Sequence, residues 1–413
     1  MPPHDVLGYL DVSPPYSSNF DWQLSDMLKG VFVSASGFLG GQPGGAQACT
    51  TEYIQTLNAA GIDLEILPYE LDKRISSRLF RKVWPSHYIR HHEQGLFDRI
   101  RIAVESTKAD FVFLNQVQLA PVAQQLRRVL SPNCRIVALS HGLESTDLLH
   151  TLRFTSGISV ALPKYALGKQ LLGDTLVREA AYRSSLDLVL CLSPFDVELE
   201  HWLGARNAVW IPRTVSAQPL SWNPMGNRAG FVGTLDHAPN LEGLILFLRS
   251  VSQAAPANFR VRLVGSPPHI GLALVSSFPF VDYLGPSSDD ELMQEASTWN
   301  CFIHPIFCYP RGCSTKLATA IGWQIPIVTT TPGRRGYTWE RGELLIEDRP
   351  DAFSLLVLSL LDTERAQRIR DDVAKVAQSS PTISSVGRQL AELLGSTSSA
   401  TGDNTMLSHM ECR

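Results

Sequence analysis

The stretch Cys301–Thr331, CFIHPIFCYPRGCSTKLATAIGWQIPIVTTT, decides how the rest of the chain is read. It opens as a buried parallel strand, Cys301-Phe302-Ile303, ended by Pro305. A loop follows from Phe307 to Cys313 and carries Tyr309-Pro310-Arg311-Gly312. Ser314 and Thr315 offer an N-cap in front of a helix, Lys316 to Ile321. Gly322 and Pro326 are expected to stop that helix, and Ile327–Thr330 reads as a second, β-branched strand. A strand, a glycine loop, a helix start with a lysine in its first turn and another strand make an α/β unit suited to an anion. The free N–H groups of Ser314, Thr315 and Lys316 and the helix dipole would face it, and Lys316 would add a full charge.

Working outward, the same logic recurs along the chain. Val31-Phe32-Val33 is a strand, Phe38–Gly45 a glycine-rich loop, Ala46–Ala60 a helix and Asp63–Leu67 a strand. This βαβ order implies a parallel sheet with right-handed crossovers. Strands are expected at Phe111–Leu114, Ile136–Leu139, Leu188–Leu192 and Val209–Pro212. His141 follows one of them directly, at the edge where open α/β sheets bind ligands. Ser193-Pro194 with Asp196 reads as a capped helix start. Residues 213–228, with Pro219, Trp222, Pro224 and Gly226, read as a linker. Beyond it come Phe231-Val232-Gly233, strands ending at Gly265 and Gly285, and then the Cys301 unit. Residues 350–379 read as helical.

The fold class is therefore α/β, with two doubly wound Rossmann-like domains facing each other across a cleft. The expected boundaries are an irregular segment at 1–28, a first domain at 29–212, the linker at 213–228, a second domain at 229–395 and a disordered tail at 396–413. The chain of 413 residues suits two cores better than one. Loops at Gly45, His141, Gly233, Gly265, Gly285 and Gly312 would converge at the cleft, which is the layout of an enzyme with two substrates.

Three segments together resemble the retaining glycosyltransferases of the GT-B fold, in the large bacterial glycan-building family (family 4-like). They are Pro305-x6-Gly312-x3-Lys316-x2-Thr319-Ala320-x5-Pro326-Ile327-Val328-Thr329-Thr330, then RAGFVGTLDHAPNLEG at Arg228–Gly243, and Gly44-Gly45-Ala46-Gln47. The resemblance implies a nucleotide-diphosphate sugar as co-substrate rather than a bound cofactor. It implies a glycan, lipid-linked or small-molecule acceptor, and a role in cell-surface polysaccharide or glycoconjugate synthesis. Implied site residues are His141 at the donor sugar, Lys316 with Gly312, Ser314 and Thr315 at the diphosphate, Gly45, Gly233 and Gly265 in the nucleotide loops, and Thr319 at the ribose. Retention implies reaction on one face of the sugar, with the leaving phosphate helping to deprotonate the acceptor.

Two departures stand out. The family usually carries Glu-x7-Glu, and here Arg311 and Thr319 stand at those positions. Arg311 cannot accept hydrogen bonds from sugar hydroxyls and suits a negative group instead, such as a uronic-acid carboxylate or the diphosphate. The two lost carboxylates keep a second reading open: a catalytically silent GT-B protein that partners or regulates another transferase.

Composition bounds the rest. The net charge of −4 gives no global field for nucleic acid. No Asp-x-Asp tripeptide signals a metal-held diphosphate, and no metal is expected. His304, Cys308 and Cys313 match no zinc spacing and read as strand and loop residues. Seven scattered cysteines favour a reducing compartment. The N-terminal residues show no basic region followed by an apolar run, and no stretch is long and apolar enough to span a membrane. The expected location is cytoplasmic, with peripheral contact at the inner membrane face compatible. Arg153, Lys164 and Lys169 are candidates for an acidic or phosphorylated acceptor or for plain solvated surface.

Overall fold

The computed structural model describes residues 28–40, 44–70, 95–156 and 162–396. The expected irregular segment before them and the tail after them lie outside the described residues, save Leu28 and Ser396, and Ser396 is the last residue of a helix.

The first domain is a parallel sheet of β1 (Lys29–Ala35), β2 (Asp63–Tyr69), β3 (Phe111–Asn115), β4 (Arg135–Leu139), β5 (Leu188–Cys191) and β6 (Ala208–Trp210). Its order is β2-β1-β3-β4-β5-β6. The second sheet holds β7 (Asn227–Thr234), β8 (Phe259–Ser266), β9 (Val281–Gly285), β10 (Cys301–Ile303), β11 (Ile327–Thr329) and β12 (Leu345–Ile346). Its order is β12-β11-β10-β7-β8-β9. Helices cover both faces of such sheets, so the central strands read as unbroken apolar runs. Phe111–Asn115 is buried at every residue, and so is Cys301–Ile303.

The strand orders fix where ligands can bind. In the first sheet the chain reverses direction between β1 and β3, and in the second between β7 and β10. Loops leaving the carboxyl ends of strands on either side of such a switch point frame a crevice. In the second sheet those loops carry Gly233 and the run Pro305–Ser314. In the first, Gly45 opens the helix that follows β1.

Three expectations need correction. Gly322 does not stop its helix, which runs Thr315–Trp323 and ends on Gln324 with φ 53. Gly322 instead lets the linker come close: a Cβ there would lie 2.4 Å from the Ser216 main-chain oxygen. The Gln218 N–H donates to the Gly322 oxygen at 2.8 Å and fixes that contact. Second, 350–379 is two helices, Pro350–Ser359 and Thr363–Ser379, parted at Asp362, whose side chain caps the second. Third, the helix Ile383–Ser396, assigned above to the second domain, returns to the first. Its Val386, Leu390 and Leu394 recur at four-residue spacing and are buried with Phe32, Leu57 and Phe113. The chain therefore crosses between domains twice, at the linker and before this helix.

Candidate active site

Two joined hollows in the cleft between the domains carry the candidate site. One, of about 360 Å³, is lined by His141 and Asp147 of the first domain and His237, Arg311, Ser314 and Lys316 of the second. The other, of about 620 Å³, is lined by Gly233, Gly265, Ser287, Phe302, Thr319 and Trp323 among others. Gly45, Thr234, Thr315 and Lys316 line both. The structure thus brings the site residues named from the sequence to one cleft, all but Gly312 lining these hollows, with Lys316 at the junction.

Lys316 sits in the first turn of the helix Thr315–Trp323. Its ammonium lies 5.6 Å from the centre of the Phe231 ring. A Cβ on Gly233 would lie 2.6 Å from Lys316 Nζ, so the bare glycine makes room for the cation. Burial lowers the Lys316 pKa from its ordinary 10.5 to about 8. A desolvated ammonium beside open N–H groups at a helix start is an anion seat. The N-cap differs from expectation: Ser314 occupies the position without a side-chain cap bond. Its hydroxyl pairs with His304 Nε2 at 2.8 Å, while His304 Nδ1 meets the Thr329 hydroxyl at 3.0 Å. Buried His304 is thereby a strut between β11 and the helix start, and burial keeps it uncharged.

His141 follows β4 and is buried, with Nε2 at 2.9 Å from Asn115 Oδ1. Asn115 Nδ2 donates to the hydroxyls of Ser34 and Thr50 at 2.8 and 2.9 Å, which leaves its oxygen to accept. That network assigns the proton of neutral His141 to Nε2 and a lone pair to Nδ1. Burial, with help from Arg311 and Arg213, brings its pKa down to about 3. His141 is suited to accept a hydrogen bond from a neutral hydroxyl.

Arg311 does not stand open. Its Nη1 lies 3.1 Å from the buried Glu144 carboxylate, and its main-chain N–H donates to Asp147 Oδ1 at 2.9 Å. Arg335 supports the loop from below, donating to the main-chain oxygens of Pro332 at 2.6 Å and Pro310 at 3.0 Å. Gly312, with φ 59, packs on the His141 carbonyl. Thr319 is exposed on the helix and donates to the Thr315 oxygen at 3.3 Å. Thr315 Oγ1 is 3.5 Å from where a Gly45 Cβ would stand, so the two helix starts nearly touch.

The sequence reading missed the helix Glu144–Ser156 as a domain bridge. Four residues spaced three apart on it reach the second domain: Glu144 to Arg311, Asp147 to His237 at 3.2 Å, His150 to the Tyr309 oxygen at 2.8 Å, and Arg153 to Glu242 at 3.1 Å. Arg153 is therefore engaged with Glu242. Lys169 is on the surface, and the Lys164 side chain lies outside what is described. Charged residues three apart were the available signal. Among the described residues, no group of three or more His, Cys, Asp or Glu is placed to hold a metal ion, and no helix is long and apolar enough to cross a membrane.

Residues 226–363 match the family model described as glycosyl transferases group 1. No curated protein matches the chain. Among solved structures, the lipopolysaccharide outer core galactosyltransferase WaaB is similar with a TM-score of 0.58 and 13% identity, over 90% of this chain and 100% of its own. The Anabaena protein HepE, solved with UDP and glucose, gives 0.58 and 14%, over 89% and 100%. A sucrose-phosphate synthase from Thermosynechococcus elongatus gives 0.55 and 16%, over 91% and 97%. The architecture is GT-B: two Rossmann-like domains with the cleft between them. The family match lies on the second domain, and the likeness to these structures shows the shared fold.

Proposed function

We propose that this chain transfers a sugar from a nucleotide-diphosphate donor to a glycan, lipid-linked or small-molecule acceptor, in cell-surface polysaccharide or glycoconjugate synthesis. The observation that carries the reading is Lys316. It is a desolvated ammonium on a helix start at the switch point of the second sheet, wedged against Gly233. When a nucleoside diphosphate leaves a sugar carbon, charge builds on the phosphate beside the broken bond. Fixed donors aimed there lower the barrier most. Gly312 admits the backbone, Ser314 and Thr315 supply N–H groups, and Lys316 supplies the cation. In this arrangement the protein provides the positive charge, and the reaction proceeds without a divalent metal.

The larger hollow, with Gly265 and Thr319, takes the nucleoside. The smaller takes the sugar, with His141 Nδ1 accepting from a sugar hydroxyl. HepE, of the same fold, was solved with UDP and glucose, the kind of ligand pair this division calls for. Retention of configuration is the outcome that the resemblance implies. Calorimetric titration of UDP, GDP and ADP into the wild type and Lys316→Ala tests the donor half. Binding that weakens at least tenfold in the variant is expected, and equal affinities would remove Lys316 from the diphosphate site.

A further inference from the structure

We propose that His237, oriented by Asp147 across the cleft, is the catalytic base that takes the proton from the acceptor hydroxyl. The inference rests on the transfer reaction proposed above and gives the hydroxyl proton to a group of the protein, in place of the leaving phosphate that the resemblance implies. His237 is the N-cap residue of the helix Ala238–Val251, and lines the smaller hollow together with Lys316, Ser314 and Thr315. Its Nε2 lies 3.2 Å from Asp147 Oδ2. The other oxygen of Asp147 already accepts the Arg311 main-chain N–H at 2.9 Å. Burial would raise the Asp147 pKa, but the bonds from His237 and Arg311 outweigh it and keep the carboxylate ionised.

Because an ionised carboxylate only accepts, Nε2 carries the proton and Nδ1 carries the lone pair. Nδ1 has no hydrogen-bond partner among the described residues. The carboxylate both sets the tautomer and stabilises the imidazolium that forms when Nδ1 gains a proton, which is what a base–orienter pair requires.

The other groups at the hollow are less suited. His141 gives Nε2 to Asn115, and burial beside two arginines opposes a charge on it. Glu144 faces Arg311 and the Gln118 amide. Cys313 is a thiol that burial raises to about 12. Lys316 faces the leaving phosphate. In the step, the acceptor oxygen bonds to the anomeric carbon and the carbon–oxygen bond to the diphosphate breaks. The bonding pair leaves on the diphosphate beside Lys316, and the hydroxyl proton passes to His237 Nδ1. No further reactant is needed.

The test uses the full chain and a panel of UDP-, GDP- and ADP-hexoses, with water or sodium azide as the accepting group. Azide has no proton to lose and needs no base. His237→Ala and His237→Gln should lower turnover with water by about 10²–10⁴-fold while turnover with azide stays within a few-fold of the wild type. Added imidazole should restore part of the loss in His237→Ala. Calorimetric affinity for the nucleoside diphosphate should be unchanged, which also shows that the variants are folded. Equal losses with water and azide, or no loss with either, would overturn the assignment. A wild type that turns over no member of the panel, even with a mixed glycan acceptor extract added, would overturn the transfer reading itself, and that failure is visible before any variant is made.

Discussion

Gly312 of the second domain packs against the main chain of His141 in the first: a Cβ on Gly312 would lie 2.3 Å from the His141 carbonyl oxygen. In return, a Cβ on Gly142 would lie 2.0 Å from the Gly312 nitrogen. Both glycines have positive φ, 59 and 86. Gly312→Ala therefore meets a left-handed backbone and a clash across the cleft. The conformation alone costs about 1–2 kcal/mol, and the clash must part the domains. Turnover should fall at least tenfold and the melting temperature should drop. A variant with unchanged turnover would show that this contact is not part of the working state.

The pH dependence of donor binding follows from Lys316. Its pKa of about 8 lies below the ordinary 10.5, so the folded chain loses this proton before the unfolded chain does. Folded-state stability from this group therefore rises with pH between those two values. A bound diphosphate favours the charged form and pushes the pKa back up. Nucleoside diphosphate affinity should then weaken above about pH 8, approaching tenfold per unit, while Lys316→Met should be flat there. Calorimetry from pH 6.5 to 9.5 checks it, and a wild-type profile as flat as the variant's would contradict it.

Metal removal is a separate matter. With Lys316 and the helix-start N–H groups assigned to the diphosphate, turnover in excess EDTA should match turnover without it. Complete loss in EDTA, restored by magnesium or manganese, would overturn that assignment.

Arg311 faces Glu144 and, through its main chain, Asp147. Arg311→Glu would set like charges together at the cleft. It should lower the melting temperature and weaken an acidic donor or the nucleotide by roughly 10–100-fold, as a charge pair replaced by repulsion would. Identical affinities for every ligand would place Arg311 outside the donor site.

Much of this was legible in the sequence because it is local. Apolar runs such as Phe111–Leu114 can only be buried parallel strands in this context. Ser193 before Pro194 announced its helix, and its hydroxyl does accept the Asp196 N–H at 3.1 Å. The β-strand–loop–helix unit around Lys316 was readable for the same reason. What was not legible is long-range. Asp147 and His237 are 90 residues apart, and Arg213 reaches Glu52 and Cys49 over more than 160. Amphipathic spacing buries the helix Ile383–Ser396 but does not say against which sheet. Gly322 misled because a helix tolerates glycine where a neighbouring chain must come near, and that neighbour, Ser216, lies in the linker.

The central claim is transfer from a nucleotide sugar, and the most direct measurement is nucleotide release. Purified protein incubated with a panel of UDP-, GDP- and ADP-sugars, with and without a mixed glycan acceptor extract, should release nucleoside diphosphate from at least one donor. Lys316→Ala should abolish most of that release, by about 10²–10³-fold. Nucleotide binding without release from any donor would contradict the account and favour a GT-B protein that binds without catalysing.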